Sequence, residues 1–284
     1  MARAQSIYAA LFASVAIAAS LFCAAPASAQ TWLAPAYPDA TLRGPAKAKG
    51  AVIWNHGRSV DSEDSEAPTP AYMALLRDGG WDAFRFNRTR ADDTLDASTT
   101  ALVHTVEQLK GQGYRRVALA GQSFGGFLAL MAADSSDAVD VVVATAPAAY
   151  GNFADYYDSW RSNATRLYPL LRQVRHARVM MFFFHGDDFD PGGRGDRSRQ
   201  ILAARGVPNL IIDQPRQLTT HWAATTPLFT RRFGSCILDF LDMSRAPDDA
   251  SCDHDALVAG AAPDQASSPR AASQGEARRR PNGG

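Results

Sequence analysis

The clearest chemical signal in the sequence is one serine in a glycine-rich motif. Residues 121–125 read Gly-Gln-Ser-Phe-Gly, after an apolar stretch at 117–120 and before another at 127–133. When a Gly-x-Ser-x-Gly motif joins a strand to a helix, a sharp turn projects the serine hydroxyl at the end of the strand. The N-terminus of the helix then directs positive charge towards a developing oxyanion. We therefore expect Ser123 to be a nucleophile that attacks an acyl carbonyl, rather than an incidental serine in a turn.

A serine hydroxyl needs a general base within hydrogen-bond reach, and the sequence contains six histidines. Three are placed unfavourably, in a predicted helix, at the start of a strand or in the C-terminal tail: His104, His176 and His254. His56 and His185 each precede a glycine at the end of a predicted strand. His221 follows the last predicted strand and comes after the candidate acids, in the order serine, acid, histidine. We expect His221 to be the base rather than a capping or surface residue.

The acid that orients this histidine should follow the apolar strand at 179–184, where the sequence continues with His-Gly-Asp-Asp-Phe-Asp-Pro. Three aspartates therefore compete, namely Asp187, Asp188 and Asp190. Asp187 is also suited to stabilising the loop through a turn, and Asp188 to facing solvent. These residues alone do not rank the three.

An oxyanion formed at Ser123 needs two backbone N–H donors. Phe124 supplies one by its position after the serine, and Arg58, which follows His-Gly at the end of the strand at 51–55, should supply the other. The Arg58 side chain either faces the entrance, where it would attract an anionic substrate, or lies on the surface. The carboxylates after it indicate a solvated acidic loop rather than a metal site: Asp61, Glu63, Asp64 and Glu66.

The elements that must position these residues alternate between apolar runs and helical patterns. We predict strands at 51–55, 82–87, 116–120, 139–145, 179–184 and 209–213, and helices at 69–78, 93–111, 125–133, 165–174, 196–206 and 222–241. Strands separated by helices of this length imply right-handed crossovers and a mostly parallel sheet of about six or more strands, with helices on both faces. The longest connection, 148–176, carries five aromatic residues that line a pocket or pack the helices: Phe153, Tyr156, Tyr157, Trp160 and Tyr168.

Both ends of the 284-residue chain have a separate character. Residues 1–29, with an apolar run at about 7–22 and Ala-Ser-Ala at 27–29, predict a secretory signal peptide cleaved after Ala29. An uncleaved anchor and a lipoprotein anchor on Cys23 are the alternatives. Residues 30–244 form the predicted domain. The composition of residues 245–284 predicts a disordered tail. The alternative is a tail that attaches weakly to an anionic surface through its three arginines at 278–280.

Composition and cysteines limit the class of protein. Hydrophobic residues make up 46% of the chain and the formal net charge is zero, so we expect a packed core and no nucleic-acid partner. After cleavage, no integral membrane segment remains. Cys236 and Cys252 are then the only cysteines, and in an oxidising compartment they predict one disulfide rather than two free thiols. The expected location is secreted or periplasmic.

Taken together, these motifs resemble the α/β-hydrolase superfamily, in its dienelactone-hydrolase and prolyl-oligopeptidase-like branch without a large cap domain. The resemblance rests on residues 55–58, 121–126, 185–190 and 220–222, in the family's order. It favours Asp190 as the acid, because an Asp-Pro pair a few residues after His-Gly is usual in the family, although Asp190 comes one residue later than the commonest spacing. Dienelactone hydrolases themselves carry a cysteine where this chain has Ser123.

The resemblance implies a serine hydrolase that cleaves a carboxylic ester, or a related acyl bond of a small molecule, through a covalent acyl-enzyme. It implies neither a metal nor an organic cofactor. An acyltransferase or peptidase on the same fold is the first alternative, and a non-catalytic periplasmic binding protein is the second. The identity of the acyl and leaving groups and the oligomeric state do not follow from the sequence.

Overall fold

A computed structural model describes residues 32–59, 67–89, 93–149, 157–190, 192–243 and 252. The predicted signal peptide, the acidic loop at 61–66 and the tail apart from Cys252 lie outside these residues, so the predictions for them stay predictions. The same holds for Phe153 and Tyr156 in the long connection. Tyr168, from the same aromatic group, is partly buried and packs against the hydrophobic core.

The centre of the fold is a seven-stranded sheet with the strand order β1-β3-β2-β4-β5-β6-β7. Its strands are β1 (Leu33–Pro35), β2 (Ala51–Asn55), β3 (Asp82–Phe86), β4 (Val117–Gln122), β5 (Val141–Thr145), β6 (Arg178–Phe183) and β7 (Asn209–Asp213). All pairings are parallel except that of β1 with β3. The predicted mostly parallel sheet is therefore confirmed, and the short antiparallel edge strand β1 is an addition to it.

The helices are α1 (Ala71–Asp78), α2 (Leu95–Gly111), α3 (Phe124–Ser135), α4 (Tyr157–Leu171), α5 (Arg194–Ala204) and α6 (Pro227–Asp242). Helix α4 begins at Tyr157, earlier than predicted. Helix α6 begins at Pro227 and not at 222, because Thr226 caps it by accepting a hydrogen bond from the Phe229 amide. A short 3₁₀ turn, Ala223–Thr225, occupies the preceding residues.

Two hydrophobic layers cover the two faces of the sheet. In β2 every residue is buried, with Ile53 in one layer and Trp54 in the other. Helices α2, α3, α4 and α5 contribute to the first layer and α1 and α6 to the second. This double burial explains why the strands read as continuous apolar runs in the sequence. The described part of the chain contains no separate cap domain.

A disulfide joins α6 to Cys252, the last residue that the structure describes. Cys236 and Cys252 are bonded, with a Cα–Cα distance of 5.1 Å and a sequence separation of 16. Both cysteines are buried in the layer that contains α1 and α6. The predicted pairing is therefore confirmed. None of the helices in the described part of the chain has the length and hydropathy that a bilayer crossing requires.

Candidate active site

Ser123 occupies a sharp turn between β4 and α3. Its backbone has φ 55° and ψ −121°, a conformation that costs a non-glycine residue about 1–3 kcal/mol. Backbone hydrogen bonds hold it there: the Ser123 amide donates to the Thr145 carbonyl at 2.9 Å, and the Ser123 carbonyl accepts from the Phe127 amide at 3.0 Å. A strained serine, fixed at the carboxyl end of a central parallel strand, is the arrangement that the motif predicted.

The glycines on either side of Ser123 permit the backbones to approach closely. A Cβ atom on Gly125 would overlap the carbonyl oxygens of Asn55 and His56 at the end of β2. A Cβ atom on Gly121 would overlap the backbone of Gly125 itself. Larger residues would therefore separate the turn from β2, and with it Ser123 from the loop that carries Arg58.

His221 lies in the loop after β7, and its imidazole is buried with its partner. His221 Nδ1 lies 2.8 Å from Asp187 Oδ1, and both side chains are almost inaccessible to solvent. Since the Nδ1–H group donates to the carboxylate, the other ring nitrogen, Nε2, carries the basic lone pair. Nε2 is buried and has no hydrogen-bond partner among the described residues. A buried, unpaired basic nitrogen is what a general base requires.

The expectation that Asp190 orients His221 is corrected by the structure, which places Asp187 there. The loop after β6 folds as a turn in which the Asp190 amide donates to the Asp187 carbonyl at 3.0 Å. The Asp187 carboxylate also accepts from the Phe189 amide at 2.9 Å. The turn directs Asp187 towards His221 and leaves Asp188 exposed.

Asp190 instead pairs with a buried cation. Its Oδ1 lies 3.0 Å from Arg194 Nε and also accepts from the Gly192 amide at 2.9 Å. Arg194 is fully buried and donates to the Pro147 carbonyl at 3.0 Å. Asp190 therefore ties the acid loop to the start of α5 and to the chain after β5, which is a structural role.

Two contacts hold the His221 loop against its neighbours. Gln122, the residue before the serine, donates from its side-chain amide to the His221 carbonyl at 3.1 Å. The Thr220 amide donates to the His185 carbonyl at 2.9 Å, next to the acid loop. Since Gln122 is the last residue of β4, the first contact places the histidine loop beside the turn that carries Ser123.

The ring of His221 lies between two aromatic side chains. The Phe189 ring centroid is 4.2 Å from that of His221, and the Trp222 centroid is 5.3 Å away. Trp222 is 54% exposed, although it is a large apolar residue. These two rings form an apolar wall on the histidine side of the site.

The two predicted oxyanion donors, Arg58 and Phe124, each follow a residue whose carbonyl group accepts a hydrogen bond elsewhere in the protein. The Gly57 carbonyl accepts from Arg88 Nη2 at 3.2 Å. In a trans peptide the N–H group is antiparallel to the carbonyl, so the Arg58 N–H points to the opposite side of this peptide from Arg88. By the same rule the Ser123 carbonyl points into α3, and the Phe124 N–H points out of the helix N-terminus.

A buried ion pair supports the loop that carries Arg58. Arg88 is fully buried, and its Nε lies 3.0 Å from Asp93 Oδ1. Its Nη2 also donates to the His56 carbonyl, and its backbone amide donates to His56 Nε2 at 3.1 Å. His56 is therefore a structural residue of this network and not a second base.

Several hydrolases of known structure have a similar fold. The sequence matches no family model and no curated protein. An esterase of Pyrococcus furiosus has a similar structure, with a TM-score of 0.53 and 16% identity over 68% of this chain and 80% of the esterase. A monoacylglycerol lipase of Paleococcus ferrophilus gives a TM-score of 0.52 and 14% identity, over 69% of this chain and 95% of the lipase. An acylaminoacyl peptidase of Pyrococcus horikoshii gives a TM-score of 0.54 and 12% identity. The match covers 72% of this chain but 39% of the peptidase.

The chain has the α/β-hydrolase fold. The Ser123 turn, the Asp187 loop and the His221 loop follow three different strands of the sheet, β4, β6 and β7. The structure places Arg58 against Phe124, joins the His221 loop to Gln122 beside Ser123, and pairs His221 with Asp187 rather than Asp190. No group of three or more histidine, cysteine, aspartate or glutamate side chains that could hold a metal ion lies among the described residues.

Three residues that support this α/β-hydrolase site were not identified from the sequence: Gln122, Arg88 and Asp93. Gln122 occupies a variable position of the motif, so its type carried no signal. Arg88 and Asp93 follow β3, the strand next to β2, whose end carries the loop of Arg58. An arginine and an aspartate five residues apart after a buried strand are only a weak sign of an ion pair at the sheet edge.

Proposed function

We propose that the protein is a serine hydrolase that cleaves carboxylic esters through a covalent acyl-enzyme. The observation that carries the proposal is the buried His221–Asp187 pair with its unpaired Nε2, held beside the strained Ser123 turn through Gln122. A serine that serves only in packing requires neither the strained backbone nor a basic nitrogen without a partner.

The first half of the reaction forms the acyl-enzyme. Ser123 Oγ attacks the ester carbonyl while its proton passes to His221 Nε2, and the carbonyl π electrons move onto oxygen. The backbone N–H groups of Phe124 and Arg58 stabilise the resulting oxyanion, and Asp187 stabilises the imidazolium. When the tetrahedral intermediate collapses, the bond to the leaving oxygen breaks and His221 returns the proton to the departing alcohol.

The second half releases the acid product. A water molecule attacks the acyl carbon while His221 Nε2 takes its proton. Collapse of the second tetrahedral intermediate breaks the bond to Ser123 Oγ, which takes the proton back from His221, so that the free acid and the original enzyme result. An ester is the proposed substrate because its alcohol leaves with less assistance from an acid than an amine does. The known esterase and lipase structures with the same fold are consistent with this choice.

The test is hydrolysis of short ethyl esters by the wild-type protein and the variants Ser123→Ala and His221→Ala. We expect both variants to lose activity by at least about 10³-fold, because the nucleophile and base act as one unit. Ser135→Ala and His104→Ala, at exposed positions on α3 and α2, are matched controls that should retain turnover. Equal activity in all five proteins, or none in the wild type, would contradict the proposal.

Adding methanol or an amine to the same assay separates hydrolysis from acyl transfer. Acid as the main product supports hydrolysis, whereas preferential formation of the methyl ester or amide indicates an acyltransferase. If no acyl compound reacts, a binding protein on a hydrolase fold becomes the better account.

We also propose that the protein is exported and that its mature chain begins at Gln30. The Ala-Ser-Ala sequence at 27–29 and the Cys236–Cys252 disulfide support export, since disulfides persist in oxidising compartments. N-terminal sequencing of protein recovered from an exporting host tests the cleavage. A chain that still begins at Met1 or Ala2 would contradict it.

A further inference from the structure

Arg58 is a cation at the site that no carboxylate of the described residues neutralises. Its Nε is buried and has no hydrogen-bond partner among those residues. The contact that the structure gives its guanidinium is with an aromatic face, since the guanidinium carbon lies 5.7 Å from the centre of the Phe124 ring. Arg58 as a whole is partly buried, so its guanidinium is less well hydrated than that of a surface arginine and is suited to binding an anion.

Two fully buried arginines at this edge of the sheet, in contrast, each have a carboxylate partner. Arg88, whose guanidinium carbon lies 5.6 Å from the same Phe124 ring, pairs with Asp93. Arg194 pairs with Asp190 in the acid loop. Since these cations are already neutralised within the protein, Arg58 is the one whose charge remains available for a ligand among the described residues of the site.

The position of Arg58 puts this charge close to the reacting carbonyl. The preceding residue, Gly57, is so near to the nucleophile that a Cβ atom on it would lie 3.6 Å from Ser123 Cβ. The Arg58 backbone N–H is one of the proposed oxyanion donors, and its guanidinium lies over the residue that supplies the other. An anionic group bound by this guanidinium therefore lies within a few bonds of the bond that is cleaved.

We propose that Arg58 binds a carboxylate of the substrate, so that the preferred substrates are esters with a free carboxylate near the scissile carbonyl, such as monoesters of dicarboxylic acids. The proposal rests on the proposed ester hydrolysis and names its substrate class. A carboxylate fits better than a phosphate monoester because the site offers one unpaired cation, which balances a single negative charge. The planar guanidinium also matches the two oxygens of a carboxylate.

The test compares three ethyl esters of similar size in the full-length mature protein. Monoethyl glutarate carries a carboxylate, ethyl pentanoate is its neutral counterpart, and ethyl 4-(trimethylammonio)butanoate carries a cation. The quantity measured is the ratio of kcat/KM for the anionic ester to that for the neutral ester. Because both values come from the same preparation, a partly unfolded variant does not change the ratio.

We expect the wild-type ratio to be about 10 to 100, the range for a hydrogen bond to a charged group. Arg58→Gln should bring the ratio close to one, and Arg58→Glu should invert it and favour the cationic ester. Arg231→Gln, which removes an exposed arginine on α6, is the matched control and should keep the wild-type ratio.

A wild-type ratio near one, or a ratio that Arg58→Gln leaves unchanged, would overturn the proposal. The first result would leave the acidic residues at 61–66 as the candidate partners of Arg58. If the wild type hydrolyses none of the three esters, the proposed function fails before the role of Arg58 is reached. The two failures are therefore distinguishable.

Discussion

Replacement of Asp187 by asparagine should remove most of the turnover while the protein stays folded. The Asp187 carboxylate lies 2.8 Å from His221 Nδ1, and both residues are buried. With an effective dielectric constant of about 20, an imidazolium and a carboxylate at this separation attract each other by about 6 kcal/mol. That attraction exists only when His221 has taken the serine proton, so its loss raises the barrier and lowers kcat. We expect a decrease of about 10³- to 10⁴-fold, with little change in KM.

Replacement of Asp190 by asparagine should lower the stability of the protein and leave its turnover nearly unchanged. The change leaves Arg194 buried without its counter-ion, which typically costs about 3–5 kcal/mol of unfolding free energy. Because Asp190 does not contact His221, kcat at a temperature well below the unfolding transition should stay within about tenfold of the wild-type value. Asp188→Asn, at an exposed position in the same loop, should change neither quantity.

Urea denaturation and steady-state kinetics on the same preparations measure both effects. The reasoning predicts that the two functions separate, with the rate loss in Asp187→Asn and the stability loss in Asp190→Asn. A 10³-fold rate loss in Asp190→Asn together with near-normal turnover in Asp187→Asn would refute it and restore the assignment favoured by the family resemblance.

Three further predictions concern the residues around the site and the stability of the domain. Arg88→Lys should lower kcat by about 10²-fold with an unchanged KM, because lysine lacks the guanidinium fork that holds the His56 and Gly57 carbonyls in the loop before Arg58. An equal loss with neutral and charged esters would distinguish this effect from a change in specificity. Burial, and to a smaller extent repulsion from neighbouring aspartates, raises the pKa of Asp213. The folded protein therefore binds the carboxyl proton of Asp213 more tightly than the unfolded chain does, and it loses stability as the pH rises through the raised pKa. Asp213→Asn should therefore be slightly more stable than the wild type at pH 7, by about 0.5 kcal/mol or less because the side chain is partly exposed, and the difference should vanish in thermal melts near pH 3. Replacing Cys236 and Cys252 by alanine should lower the unfolding free energy by about 3 kcal/mol in urea, and an unchanged midpoint would show that the tail is held without the bridge.

The sequence predicted the local structure around the candidate residues, and the catalytic roles of these residues stay predictions. Ser123 was identified because the glycines, the buried strand and the helix lie within a few residues of it. His221 was chosen because it is the one histidine of the predicted domain that follows the last strand and the candidate acids, His254 being in the tail. These signals depend on strand and helix periods, which the buried parallel sheet makes unusually clear.

The choice among the aspartates could not be made in the same way. Asp187 and Asp190 lie three residues apart in one loop, and their directions are decided by a turn and by a partner on α5. The turn hydrogen bond from the Asp190 amide to the Asp187 carbonyl turns the first carboxylate to His221. Arg194 then binds the second carboxylate, in a contact that the spacing of charges did not predict.

Short or distant elements were missed for related reasons. Strand β1 has three residues, too few for an alternating pattern, and it forms the edge of the sheet by pairing with β3. Arg88 follows β3 and supports the loop that carries Arg58, which follows β2. This contact forms because β2 and β3 are neighbours in the sheet, which becomes evident only when the strand order is known.

The most direct test of the central claim is covalent labelling of Ser123 by a fluorophosphonate probe. The purified mature protein, Ser123→Ala and His221→Ala would be treated together, and the modified residue would be located by mass spectrometry of the digested protein. The account predicts one adduct per chain, on Ser123, in the wild type, and no adduct in either variant. A folded wild-type protein that stays unlabelled, or that is labelled at another serine, would contradict it.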